Sequence, residues 1–256
     1  MYKKLKRILK ISLVLLVLIV ATGLYINYKN IDLSSFTWIS GVKKVTKNLK
    51  PGKYDAYKLL DIKNINQNDG YPTGCESVSA VMILKYYGFD VSVEEFIKGN
   101  LETSFLEYKN GQAYGDGPWE KYIGDPTKTS GFGCYAPVME RALNKYLPDN
   151  YTVSNITGYE VERIITKYID NDIPVMMWVT LTMRNPGNGK NWIIKSTNEK
   201  FVWPAGEHCM VLVGYDNDHY YFNDPYNNNG LVMYEKEKVE EVYKVMGSQA
   251  IAIIKN

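Results

Sequence analysis

The segment that most restricts the fold is a pair of apolar stretches joined by a very short polar turn. Cys209–Tyr215 reads CMVLVGY, His219–Asn223 reads HYYFN, and only residues 216–218 (DND) separate them. Short runs of β-branched and aromatic residues around such a turn are typical of an antiparallel hairpin. Residues equidistant from a hairpin turn lie opposite each other. Because eight positions separate the first turn residue from His208 and from Asp224, we expect these two side chains to face each other.

The remaining patterns predict helices mainly in the first half of the chain and strands in the second. The stretch GCESVSAVMILKYYGF carries a wide apolar face at helical spacing from Cys75 and ends at Gly88, which suits a left-handed cap. Helices followed by an antiparallel sheet make an α+β fold. Further helices are predicted at 93–97, 136–146 and 160–170, and further strands at 174–182, 231–234 and 250–254.

Cys75 is the candidate nucleophile. The chain has three cysteines, so at least one is a free thiol, and Cys75 stands where a helix begins. A helix N-terminus favours an anion and thereby lowers a thiol pKa. Glu76 would oppose a thiolate unless its side chain points away, and helix capping is its ordinary role. We expect Cys134 and Cys209 to be structural, the latter because it alternates with His208 to the opposite face of a strand.

The nucleophile needs a base, and the chain has only two histidines. His219 lies in the hairpin turn, where a solvated side chain is the simplest expectation. His208 is therefore the candidate base, and Asp224 is the carboxylate that would orient it. An acyl-transfer site also needs donors for the oxyanion, and Gln67, eight residues before Cys75, could supply one beside the Cys75 backbone N–H.

The N-terminus predicts a membrane anchor. Residues 8–25 (ILKISLVLLVLIVATGLY) form an apolar run behind a basic cluster, with five Lys and Arg among the first ten residues. A cleaved signal peptide has the same order of features and stays open as an alternative. We divide the chain into a cytoplasmic tip and transmembrane helix (1–28), a spacer (29–58) and an extracytoplasmic catalytic domain (59–256). Outside the first ten residues the chain has 25 basic and 28 acidic residues. This balance does not favour nucleic-acid binding.

The order Gln, Cys, His, Asp and the sequence around each residue resemble the papain-like clan, and more closely the stand-alone, exported branch of the C39-like cysteine peptidase family. The segments that carry the resemblance are NQNDGYPTGCESVSAVMILKYYGF and HCMVLVGYDNDHYYFNDP. It covers the chain from about Leu59 to the C-terminus. It implies a papain-like fold, with a helical half packed on an antiparallel sheet, and peptide-bond hydrolysis by Cys75, His208 and Asp224 with Gln67 at the oxyanion.

The resemblance implies no metal or organic cofactor, and its expected partner is a peptide or protein substrate, with cell-wall peptide as one option. Transporter-linked members have Asp-Cys-Gly at the nucleophile where this chain has Gly74-Cys75-Glu76, so their cleavage after paired glycines is not carried over. Two alternatives stay open: a peptidoglycan amidase or endopeptidase of the same clan, and a catalytically silent, membrane-tethered peptide-binding protein.

Overall fold

The computed structural model describes residues 58–256 and the backbone of Lys43–Lys44, all within one compact unit, residues 41–256. The predicted cytoplasmic tip, the predicted transmembrane helix and most of the predicted spacer lie outside the described residues. Within the part that is described, none of the helices combines the length and the apolar character needed to span a bilayer.

The described residues form fourteen strands and five α-helices. In chain order the strands are β1 (Lys43–Lys44), β2 (Lys58–Leu59), β3 (Thr103–Ser104), β4 (Glu107–Lys109), β5 (Gln112–Gly115), β6 (Tyr122–Ile123), β7 (Tyr151–Asn155), β8 (Val175–Thr180), β9 (Gly187–Ile194), β10 (Lys200–Ala205), β11 (Glu207–Tyr215), β12 (His219–Asp224), β13 (Gly230–Glu235) and β14 (Ala250–Lys255). The helices are α1 (Cys75–Tyr86), α2 (Val93–Asn100), α3 (Ala136–Tyr146), α4 (Val161–Lys167) and α5 (Lys236–Val245). The result is a mixed α/β fold.

The main sheet has eight strands in the order β1-β13-β12-β11-β8-β14-β7, with β2 paired to β11. All of its pairs are antiparallel. Alternate residues of β11 enter different cores. Cys209 and Val211 pack in the cluster that contains α1, whereas Met210 and Leu212 pack in the cluster that contains α5. The central strand is therefore apolar along its length because both faces of the sheet are covered.

Helix α1 is buried on every side from Cys75 to Leu84, since it lies between the main sheet, α2 and α3. A smaller sheet, β10-β9-β5-β4, lies apart from the main sheet in the strand pairing. Its core is mostly aromatic, with Trp192, Trp203 and Phe201 packed together. The strands β3 and β6 form a short parallel pair.

Most predicted elements occur close to their expected bounds, and α3 matches its predicted bounds. The predicted helix 160–170 ends at Lys167 and continues as a 3-10 turn, Ile169–Asn171. Helix α5 and the β9–β10 hairpin were not predicted from the sequence. In β9 most side chains are exposed or half-buried, so its sequence (GNGKNWII) carries little of the apolar pattern by which a strand is recognised.

The predicted register of the β11–β12 hairpin is wrong by two residues at Asp224. Val211 lies opposite Asn223, the register shifts between Leu212 and Gly214, and Tyr215 lies opposite Tyr220. The turn is therefore centred between Asn217 and Asp218 and not at Asp216, and the bulge offsets only one residue of the resulting error. Continued by one residue, this register places Met210, rather than His208, opposite Asp224.

Candidate active site

Cys75 is the first residue of α1, and the loop before it is fastened by several hydrogen bonds. The backbone N–H of Gly74 donates to Tyr71 O over 2.8 Å. Thr73 Oγ1 donates to Lys128 O over 3.0 Å, and the Tyr122 hydroxyl donates to the Thr73 carbonyl. Because Lys128 and Tyr122 come from distant parts of the chain, the tertiary structure fixes the position at which the helix begins.

The first turns of α1 lie against strand β11 at Cys209, the residue after His208. Ser79 Oγ donates to the carbonyl of Cys209 over 3.0 Å, and the Cys209 backbone N–H interacts with the Cys75 sulfur. The Cys75 side chain is only 4% exposed. Burial, followed by the charges of Glu76 and Glu207, raises the pKa of the Cys75 thiol well above its ordinary value, so the resting form of Cys75 is the thiol.

His208 and Asp224 form a buried pair, as the sequence analysis expected. His208 Nε2 lies 2.7 Å from Asp224 Oδ1, and both residues are at most 1% exposed. Asp224 also accepts hydrogen bonds from the backbone N–H of Tyr226 over 2.9 Å and from Asn229 Nδ2 over 2.7 Å. Although burial opposes ionisation, the charge of His208 and these hydrogen bonds together lower the pKa of Asp224. With Nε2 engaged, Nδ1 of His208 is left for proton exchange.

Gln67 links the loop before Cys75 to the end of the hairpin. Its backbone N–H donates to Pro225 O over 2.8 Å, directly after Asp224. Its side chain is 3% exposed, and Nε2 donates to Pro72 O over 3.0 Å. Oε1 has no hydrogen-bond partner within residues 58–256. The side-chain amide is therefore buried between the loop before Cys75 and the end of the hairpin, with one N–H engaged with that loop.

Glu76 points into the protein beside the nucleophile. It is fully buried, Oε2 accepts a hydrogen bond from the Cys75 thiol over 3.3 Å, and Oε1 accepts one from the Cys134 backbone N–H over 2.6 Å. Burial is the main cause that raises the pKa of Glu76, to about 7. The side chain does not point away from the thiol, so its charge bears directly on Cys75.

Glu207 is a site residue that the sequence analysis missed. The Cys75 sulfur and one carboxylate oxygen each of Glu76 and Glu207 all lie within 4.8 Å of one another. Glu207 is only 8% exposed. Burial, together with the charge of Glu76, raises the pKa of Glu207 well above its ordinary value. Both oxygens of Glu76 already accept hydrogen bonds from the protein, so this arrangement favours an acid pair beside a thiol over a cation site. Alternation along the strand that carries His208 could have placed Glu207 on the same face as Cys209.

The other candidate residues lie where a structural role would put them. Cys134 and Cys209 are completely buried in the core cluster that contains Cys75. The carbonyl of Cys134 accepts a hydrogen bond from Trp178 Nε1 over 2.8 Å. His219 lies at the hairpin turn, with Nδ1 3.2 Å from Asp216 Oδ1, and its side chain is 22% exposed. The structure therefore separates His219 from the buried His208–Asp224 pair.

Helix α1 begins with the buried Cys75 and packs on β11, the strand that carries His208, and the carboxylate partner of His208 lies on the neighbouring strand β12. Thiol-dependent acyl transfer can be built on this arrangement, which defines the class of protein. The model of the Peptidase_C39 like family matches residues 59–251, and the chain therefore belongs to that family.

Two further similarities are consistent with this membership. The chain is 29% identical over 243 residues to YvpB, an uncharacterized protein of Bacillus subtilis strain 168, with 91% of this chain and 92% of that protein covered. The crystal structure of a putative C39-like peptidase from Bacillus anthracis is similar with a TM-score of 0.68 and 27% identity. That similarity covers 79% of this chain and 99% of the other.

Proposed function

We propose that this chain is a membrane-anchored, extracytoplasmic cysteine peptidase that hydrolyses a peptide bond with Cys75, His208 and Asp224. The observation that carries the proposal is the buried 2.7 Å contact between His208 Nε2 and Asp224 Oδ1, in which His208 belongs to β11, the strand against which the first turns of α1 pack. Membership of a peptidase family supports the same reaction.

In the proposed reaction, the Cys75 sulfur attacks the carbonyl carbon of the scissile amide. The backbone N–H of Cys75 and the side-chain amide of Gln67 donate to the oxyanion. His208, held by Asp224, serves as the base and passes a proton to the leaving amine, so that an acyl-thioester remains on Cys75. Water then attacks the thioester with His208 as its base, and Cys75 is regenerated.

The location outside the cytoplasm rests on the N-terminal sequence. The basic cluster before residues 8–25 would stay in the cytoplasm, and the apolar run is long enough for a membrane helix. Protease treatment of intact cells that carry the full chain tests this location. Degradation of residues 59–256 in intact cells supports it, and protection until the cells are lysed contradicts it.

The activity is tested with the full chain in detergent, incubated with unfolded casein and, separately, with purified peptidoglycan. Mass spectrometry of new N-termini identifies the bonds that are cut. We expect cleavage by the wild-type chain and none by Cys75→Ala, with Cys134→Ala as the matched cysteine control. Equal cleavage by Cys75→Ala contradicts the assignment of the nucleophile. A failure of the wild-type chain to cut any substrate favours a tethered peptide-binding protein.

A further inference from the structure

The two buried carboxyl groups beside Cys75 have no role in the reaction described above. Glu76 and Glu207 belong to different elements, α1 and β11. One carboxylate oxygen of each lies within 4.8 Å of the other and of the Cys75 sulfur. Neither forms an ion pair with a Lys or Arg among residues 58–256. Burying two uncompensated negative charges at this distance is costly, so such a pair retains a proton.

The hydrogen bonds show which of the two carboxyl groups ionises first. Glu76 accepts from the Cys134 N–H over 2.6 Å and from the Cys75 thiol over 3.3 Å, and donors of this kind stabilise the ionised form. Glu207 Oε1 has no hydrogen-bond partner within residues 58–256. The retained proton therefore resides on Glu207, and Glu76 is the group that changes charge near neutral pH.

Several titratable groups face Glu76 from the elements packed against it. Burial is the main cause that raises the pKa of the thiols of Cys134 and Cys209 and of the hydroxyls of Tyr122 and Tyr135. The charge of Glu76 acts in the same direction in all four, and Glu207 adds to it at Tyr135. None of these four groups carries a charge at neutral pH.

His208, on β11, is the remaining neighbour, and its charge favours ionisation of Glu76. A test must therefore separate the effect of Glu76 from the effect of His208.

We propose that the Glu76–Glu207 pair is a pH-dependent control on the nucleophile, in which the charge of ionised Glu76 holds the proton on the Cys75 thiol and protonation of Glu76 removes that restraint. This inference rests on the proposed function. When Glu76 is ionised, a thiolate beside it would place a second negative charge in the same buried space, and the thiol is retained as a hydrogen-bond donor. When Glu76 is protonated, that repulsion disappears and the Cys75 thiol ionises more readily.

Glu207 acts through Glu76. A protonated Glu207 keeps the cluster at a single negative charge, which is the condition under which Glu76 can ionise at all in this environment. Glu207 is thus a positioning residue for the proton, and a neutral amide in its place preserves that condition.

The experiment compares the rate at which iodoacetamide alkylates Cys75 in the full-length wild-type chain, Glu76→Gln and Glu207→Gln, between pH 5 and 9. Mass spectrometry assigns the modified cysteine, and Cys134 and Cys209 serve as internal references for unfolding. The glutamine at position 76 retains an oxygen that can accept the Cys134 N–H bond. It imitates the protonated state of Glu76.

We expect the ratio of the Glu76→Gln rate to the wild-type rate to be close to one below pH 6, and to rise to about tenfold or more above pH 7, one pKa unit being a tenfold change in thiolate. Glu207→Gln should stay within about twofold of wild type. The same comparison is made with His208→Ala in both chains. If the rate ratio still rises above pH 7, the rise is assigned to Glu76. If the rise disappears, the assignment to Glu76 is overturned.

A ratio well below one at pH 8 overturns the proposal, because Glu76 would then be a base that removes the thiol proton. A ratio that does not change with pH also overturns it. If Glu76→Gln unfolds, Glu76→Asp keeps the charge but shortens the side chain by one methylene, and the proposal then requires faster alkylation above pH 7. If Cys75→Ala abolishes peptide cleavage but the alkylation ratios differ from those expected, the proposed function stands. Only the pH-dependent control by Glu76 is then contradicted.

Discussion

His208 and Asp224 make contact although they are not paired across the hairpin. The register of β11 and β12, with Val211 opposite Asn223, places His208 two residues beyond the position opposite Asp224. Both side chains still point to the same face, because two residues are one full period of a strand. A diagonal neighbour lies within reach of long side chains, and Nε2 and Oδ1 are 2.7 Å apart.

Asp224→Asn should reduce peptide hydrolysis strongly while the chain remains folded. An amide in place of the carboxylate cannot stabilise protonated His208 and can impose the wrong tautomer, and in triads the loss reaches about 10⁴-fold. We expect a decrease of at least about 10²-fold in kcat, measured with a peptide identified in the cleavage screen. Asp216→Asn makes the same chemical change at the tip of the same hairpin and should retain activity. Equal losses in the two variants would argue against a specific role for Asp224.

Asn229→Ala should narrow the pH range of activity from the acid side. Asn229 Nδ2 donates to Asp224 Oδ2, and this bond is one of the causes that lower the pKa of Asp224. Its loss moves that pKa upward, so the carboxylate is protonated at a higher pH and the low-pH limb of kcat/KM moves upward as well. Asn217→Ala, at the exposed hairpin turn, is the control. An unchanged acid limb would mean that Asp224 does not govern it.

Gln67→Ala should lower kcat more than it changes KM, because an oxyanion donor acts mainly in the transition state. Loss of one such donor typically costs about 10²- to 10³-fold in kcat. Initial rates over a range of peptide concentrations measure the two constants. Asn68→Ala changes the neighbouring exposed residue and should have little effect. An unaltered kcat in Gln67→Ala would remove Gln67 from the site.

Two serines on α1 provide a paired test of how the helix is held on the sheet. Ser79 Oγ donates to the Cys209 carbonyl, whereas Ser77 Oγ is buried with no hydrogen-bond partner in the described part of the chain. Ser79→Ala should lower the free energy of unfolding by about 1–2 kcal/mol. Ser77→Ala should be neutral or stabilising, since no bond is lost. Denaturant titrations measure the free energy of unfolding of the two variants. Equal effects would contradict the hydrogen-bond assignment.

The raised pKa of Glu76 should make stability depend on pH. A carboxyl that titrates at 4.5 when unfolded and at about 7 when folded contributes stability that is present below pH 4.5 and lost as the pH rises to about 7. At 1.36 kcal/mol per pKa unit, the loss is about 3 kcal/mol.

Glu76→Gln should therefore gain about that much stability relative to wild type between pH 4.5 and 7.5, measured by chemical unfolding at each pH. The exposed substitution Glu199→Gln should show no such trend. A constant difference between Glu76→Gln and wild type would mean that Glu76 does not titrate in this range.

The sequence by itself determined the features that depend on local patterns. The period of the apolar residues located α1 and α3, and the short DND turn located the β11–β12 hairpin. The positions of Cys75, His208 and Asp224 at the ends of these elements followed directly. The family resemblance rested on the same segments, and the family match confirms it.

Only the tertiary structure decided the details that depend on contacts between distant segments. The bulge beside Gly214 is one example: a Cβ there would lie 2.2 Å from the Lys58 carbonyl, so the pairing with β2 requires glycine, and the hairpin sequence does not reveal that partner. The Glu76–Glu207 pair is another, because the two residues are far apart in the chain and their pKa values are raised by burial. Local periodicity indicates which face of an element is buried, but packing between distant segments sets the register and the electrostatic neighbours.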